Sequence, residues 1–183
     1  MRKIKTAEAA LAAVQADGLA LRDVPEEMKT PEVCLAAVRQ FGPALQFMPR
    51  EMKSPEVCLE AVRQDGRALK FVPPALKTEE ICIEAVRQCG LALKFVPERL
   101  KTPAVCFEAA RRRGLSLEDV PVNLRSEEVC TAAVRQHPGA MMYVPVRRRS
   151  AVLNAMAQKA EAGAEPEAGE EEAAGQGRRF MNG

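Results

Sequence analysis

The chain has 183 residues, 47% of them apolar but only 4% aromatic and none tryptophan, with a formal net charge of +2. That length supports one ordinary core, which alanine, valine and leucine must pack, and no apolar run reaches the roughly 18 residues of a membrane span. Residues 1–149 carry 24 basic and 19 acidic side chains and the remainder 3 and 6, a split of +5 and −3 that does not by itself call for nucleic acid.

The opening "MRKIKTAEAALAAVQ" lacks a signal-peptide cleavage pattern, so the sequence predicts a soluble cytoplasmic protein. From Thr6 to Arg149 the chain repeats a 24-residue unit six times without an insertion. Cys34, Cys58, Cys82, Cys106 and Cys130 keep that interval, as do the prolines from Pro25 to Pro145 and the glycines from Gly18 to Gly114.

Each copy opens on a hydroxyl: Thr6, Thr30, Ser54, Thr78, Thr102 and Ser126, with Ser150 starting a seventh. Such a side chain suits a helix N-cap, where its oxygen accepts an orphan backbone N–H. Pro31, Pro55 and Pro103 follow at the first helical position, which needs no donor. Glu32, Glu56, Glu79, Glu80, Glu127 and Glu128 lie in the first turn, where negative charge complements the helix dipole. The glycines from Gly18 to Gly114, twelve residues after the caps from Thr6 to Thr102, suit a left-handed C-terminal residue. The spacing therefore predicts one helix of about three turns per copy.

In the second half of the copy, as in "RALKFVPPALK", Leu69, Val72 and Leu76 are spaced i, i+3, i+7. A strand would put positions 69 and 71 on one face, yet the slot of Phe71 holds Asp23 and Asp119 in other copies. A residue before proline avoids helical angles, so a short helix should end near Phe71 and a separate turn, 3₁₀ in character, should start at Pro73. Neither half buries its apolar face alone, so the copies must stack as an all-α solenoid over residues 6–149. Ala13, Ala37, Ala61, Ala85, Ala109 and Ala133 place small side chains where helices would touch, at about 8–10 Å between axes. Residues 150–161, "SAVLNAMAQKAE", read as a capping helix, and the Ala-, Gly- and Glu-rich residues 162–183 as a disordered acidic tail.

The pattern Thr-x-Glu-x-Cys-x-x-Ala-Val-x-Gln-x-Gly-x-Ala-Leu-x-Phe-Val-Pro-x-x-Leu-Lys resembles a helical repeat family of bacteria and protists catalogued as a domain of unknown function, over residues 6–149. In outline it also looks like the leucine-rich-repeat variant fold, in which an α-helix alternates with a 3₁₀-helix in a superhelix. That resemblance implies the fold. The variant's amino-terminal cysteine cluster for an iron–sulfur centre has no counterpart before Thr6.

Six cysteines raise the question of a metal or a disulfide. The five in register fall on the apolar helix face, and stacked helices would hold their Cα atoms beyond the roughly 7 Å that a disulfide allows. They are expected to be buried hydrophobes in a reducing compartment, with Cys89 more accessible. The one histidine, His137, stands in a divergent turn and is expected at the surface, and no phosphate loop or nucleophile elbow occurs. No catalytic, metal or cofactor residue is assigned, and an enzyme is not expected.

Two ladders remain as candidate partner-binding residues. Arg39, Arg63, Arg87, Arg111 and Arg135 recur near the helix C-terminus, where they also suit the dipole and i, i+3 pairing with Glu60, Glu84 and Glu108. Phe47, Phe71, Phe95 and Tyr143 form the second, in a slot that must be partly exposed because aspartate also occupies it. Stacked in register, the ladders become stripes, the usual recognition surface of a solenoid. The expected function is a non-enzymatic scaffold that binds a protein or peptide and no membrane. The alternative is single-stranded nucleic-acid binding by the arginines and aromatics.

Overall fold

The computed structural model describes residue 4 and residues 6–162, so the tail predicted over 162–183 lies beyond its first residue outside the described region. Six ten-residue α-helices recur at the repeat interval: α1 Ala7–Ala16, α2 Pro31–Gln40, α3 Pro55–Gln64, α4 Glu79–Gln88, α5 Pro103–Arg112 and α6 Glu127–Gln136. A seventh, α7, Arg149–Ala162, closes the series where the capping helix was expected. Every predicted cap from Thr6 to Ser126 is made, the hydroxyl accepting the N–H three residues on.

Between the α-helices the chain winds into two 3₁₀ pieces, such as Gly66–Phe71 and Pro74–Leu76. The expected short helix ending at Phe71 is thus itself 3₁₀, six residues long where three or four is usual. Its three-residue turn explains the burial. Gly66, Leu69 and Val72 fall on one face at i, i+3, i+6 and all are buried, as are Gly42, Leu45 and Met48. Leu21, Leu45, Leu69, Leu93 and Leu117 are wholly buried, each worth about 1.5–3 kcal/mol of transfer free energy.

Successive α-helices pack on one another in one layer, and the six-residue 3₁₀ helices pack in a second, with the core between them. Each α-helix buries the same face, for example Val33, Cys34, Ala37 and Val38 in α2. Because the copies stack in register, all helices of a layer run in the same direction.

The glycines do not have the left-handed conformation expected from their position. The helix ends instead on the preceding residue, extended at φ −148 at Phe41 and −150 at Asp65, and no glycine among the described residues has a positive φ. The reason for glycine is close approach. A Cβ on Gly18, Gly42, Gly66, Gly90 or Gly114 would lie under 3.0 Å from the carbonyl oxygen of Ala37, Ala61, Ala85, Ala109 or Ala133 in the next copy. The alanine ladder matters as much for where it holds that carbonyl as for its small side chain.

Two kinds of polar stitch cross the interfaces between copies, in opposite directions. Going back, the side-chain oxygen of Gln40 accepts the Gly18 N–H at 2.7 Å, Gln64 that of Gly42 at 2.6 Å, and Gln136 that of Gly114. Going forward, Lys29 donates to the Phe47 carbonyl at 3.0 Å, Lys77 to Phe95 at 2.9 Å, Lys101 to Asp119 at 3.0 Å and Arg125 to Tyr143 at 2.7 Å. Between the fourth and fifth copies Arg112 replaces the glutamine and cannot accept. It donates to the Arg87 carbonyl instead, and the Ser116 hydroxyl donates to the Gly90 carbonyl at 2.9 Å. Lys29 is 6% exposed and also pairs with Glu26 at 2.6 Å, so its buried charge is neutralised and hydrogen-bonded.

The cysteine ladder is buried as predicted, each thiol of Cys34, Cys58, Cys82, Cys106 and Cys130 being free and 0% exposed, whereas Cys89 is half-buried. Burial pushes the thiols of Cys34, Cys58 and Cys106 up to about 11, which starves them of reactive thiolate.

Removing all 24 residues 54–77 should leave a cooperatively folding helical protein, because the new junction keeps its glycine, glutamine and lysine in register. Removing 54–65 alone should not, and equal helical circular dichroism from the two deletions would contradict the stacking. Substituting Gly66→Ala forces a methyl group against the Ala85 carbonyl and should cost about 1–3 kcal/mol in urea unfolding. In thiol labelling at pH 8, Cys89 should react first, and the ladder thiols only once denaturant is added. Rapid labelling of all six would refute the buried assignment.

Candidate partner-binding surfaces

The arginine ladder stands on the outer face of the α layer, and Arg39, Arg63, Arg87, Arg111 and Arg135 are all exposed. Position nine of a ten-residue helix puts each in the last turn, where the carbonyl dipoles favour a cation. Arg111 makes the expected i, i+3 pair with Glu108 at 2.8 Å. Glu60, by contrast, is met by Arg39 of the preceding copy at 3.3 Å, so it pairs across the interface. Arg135 donates to the Ala155 carbonyl of α7 at 2.9 Å. Exposed pairs of this kind are worth at most about 1 kcal/mol.

One turn before each arginine the sequence places Leu35, Leu59, Ile83 and Phe107, all half-buried. This apolar row was not singled out from the sequence, where it merges with the core pattern of the helix. Between α5, α6 and α7 the row gives way to a cleft of about 800 Å³, lined on one side by Phe107 and Arg111 and on the other by Thr131, Arg135 and Ala155.

The aromatic ladder stands on the 3₁₀ layer instead. Phe47, Phe71, Phe95 and Tyr143 end their 3₁₀ helices and are half-buried, as a slot shared with aspartate required. The backbone carbonyl of this slot receives the lysine or arginine stitch, as at Phe47, Phe95, Asp119 and Tyr143. The main chain at the slot is therefore structural while its side chain is free to vary. Tyr143 donates its hydroxyl to Glu118 at 3.1 Å.

Phe71 and Phe95 belong to a cleft of about 290 Å³ that spans three copies, together with Phe41, Pro43 and Leu91. Arg67, Lys70 and Lys94 complete its wall, and among the described residues that line it there is no carboxylate. The Lys70 ammonium lies 5.7 Å from the Phe71 ring centre and that of Lys94 4.9 Å from the Phe95 ring centre, within cation–π range. Arg67 is held by Asp65 at 2.8 Å. Phe41, Pro43, Arg67 and Leu91 are not among the partner-binding residues assigned from the sequence. Their signal was variation: the slot of Phe41 also holds Asp65, Cys89 and Arg113 inside an otherwise fixed frame.

The two ladders thus stand on different layers, Arg111 and Arg135 lining one cleft and Phe71 and Phe95 another, and do not form one surface. His137 is exposed and accepts the Gly139 N–H at 3.1 Å. Among the described residues no three potential metal ligands gather, and no helix is long and apolar enough to cross a membrane.

No curated protein and no solved structure matches the chain. A family model described as "Domain of unknown function (DUF4116)" matches residues 8–53, 30–77, 54–101 and 78–125, overlapping windows that each take in about two structural copies. Windows that advance along the chain with the copies, and that together span well over half of it, identify this protein as a member of the DUF4116 family.

Proposed function

We propose that this protein is a non-enzymatic repeat scaffold whose 3₁₀ layer grips an acidic, apolar-anchored segment of a partner protein, in the reducing cytoplasm. The cleft of Phe41, Phe71 and Phe95 walled by Arg67, Lys70 and Lys94 carries this reading. Its volume suits one or two apolar side chains, and its cations suit carboxylates beside them. The same residue types support a second reading, a single-stranded nucleic acid whose bases stack on the rings and whose phosphates meet the cations. The peptide is favoured because Lys70 and Lys94 already lie over their neighbouring rings, where a stacked base would have to displace them.

The double substitution Phe71→Asp and Phe95→Asp tests the choice, since Asp23 and Asp119 occupy that slot without loss of the fold. It should keep the thermal transition of the wild type and abolish capture of its partner from host extract, anchors of this kind contributing about 2 kcal/mol or more. Wild-type protein should show little affinity for random single-stranded oligonucleotides at physiological salt. Tight oligonucleotide binding, weakening with salt at a slope near −0.7 per neutralised phosphate, would instead establish the nucleic-acid reading.

A further inference from the structure

The repeat breaks its own pattern at one place on the α layer. The position five residues after the opening hydroxyl of each copy holds Leu11, Leu35, Leu59, Ile83 and Phe107, then drops to Thr131 and, after Ser150, Ala155. The next position, glutamate at 60, 84 and 108, is alanine at 132, as it is at 12 and 36. These truncations open the cleft of about 800 Å³ between α5, α6 and α7, within the range of ligand sites.

Thr131 is only 6% exposed, lines that cleft, and its hydroxyl has no hydrogen-bond partner. A threonine inside a helix ordinarily bonds the carbonyl four residues back. A leucine here would fill the slot as it does upstream and leave no polar atom unpaired. A departure from the local rule that leaves a buried hydroxyl unsatisfied marks a site rather than a packing solution.

Charge is ordered along the cleft. Arg111 and Arg135 stand at the C-terminal end of their helices, and Glu127 and Glu128 in the first turn of α6. Eight residues of helix separate Glu127 from Arg135, about 12 Å. The helix that walls the cleft, α7, runs parallel to α6, so the chain leaves it at the arginine end. The residues that follow carry Glu165, Glu167 and Glu170–Glu172, then Arg178 and Arg179, then Phe180 and Met181. Acidic residues come first, where the arginines are. The six residues from Glu172 to Arg178 span up to about 20 Å, enough to bring the arginine pair to Glu127 and Glu128. Phe180 adjoins that pair and matches the apolar surface of Phe107 and Ala132.

We propose that the α-layer cleft is a peptide-binding site and that its occupant is this chain's own segment 165–181. The sixteen residues from Ala162 to Arg178 have a root-mean-square reach of about 20–24 Å, and Ala155 lies only about 10 Å back along α7. Tethering at that length supplies a millimolar effective concentration, so modest contacts hold the segment. This site is separate from the 3₁₀-layer cleft, and neither depends on the other.

Limited trypsin digestion of the full chain, followed by mass spectrometry, reads the occupancy at Arg178 and Arg179. Wild type should be cut there at least about ten-fold more slowly than Thr131→Leu combined with Ala132→Glu, which restores the upstream residues and fills the cleft. That variant should melt at or above the wild-type temperature. Arg111→Glu with Arg135→Glu alters two exposed side chains and gives a second, independent route to the same release. Equal cutting rates in wild type and both variants overturn the proposal. Protection that grows with protein concentration overturns the tethered occupant in favour of a second copy of the chain.

Discussion

Each copy can lie against the next only because Gly18, Gly42, Gly66, Gly90 and Gly114 place no Cβ between their own backbone and the carbonyl oxygen of an alanine one copy on. The close approach brings the glycine N–H within reach of the next copy's glutamine, as at Gly18 and Gly42. It also fixes the separation at which a lysine can reach forward to the next 3₁₀ helix, as Lys29 and Lys77 do. Polar groups at these interfaces then find partners in the neighbouring copy, and an unmade bond would cost about 1–3 kcal/mol. The interface is therefore specified by hydrogen bonds as well as by apolar area. The sixth copy carries Pro138 in the glycine slot, exposed and with no N–H to offer.

The forward stitch has a second consequence. It ends on a backbone carbonyl, so it makes no demand on the side chain of the residue that supplies it. Phe47, Phe95, Asp119 and Tyr143 all receive it. A slot whose main chain is fixed and whose side chain is unconstrained is where a repeat scaffold can acquire a recognition surface without altering its fold. The same reasoning separates the α layer, where the exposed arginines serve the helix ends from the second copy to the sixth and acquire a ligand-like setting only beside Thr131 and Ala132.

The cysteines follow a different logic. One sits near the start of each helix from α2 to α6, wholly buried, where a small apolar side chain fits. Cys34 places its sulfur 3.8 Å from that of Met52, a soft contact between two polarisable groups. With their thiols raised by burial, they contribute packing and hold little reactive thiolate.

By itself the sequence determined the repeat, the capped helix in each copy, the burial of the cysteine ladder and the half-buried state of the aromatic slot. These are local or periodic properties, and each recurs from copy to copy. Only the tertiary structure decided why the glycines are glycines, since the carbonyl they approach lies 19 residues away, as Ala85 does from Gly66. The same holds for the glutamine and lysine stitches, which join residues 22 and 18 apart and look like ordinary helix-end and surface residues in one dimension. It also decided that the arginine and aromatic ladders lie on separate layers. Equal spacing in sequence fixes that two ladders run in parallel, but which faces they occupy depends on how the α and 3₁₀ helices fold back on each other.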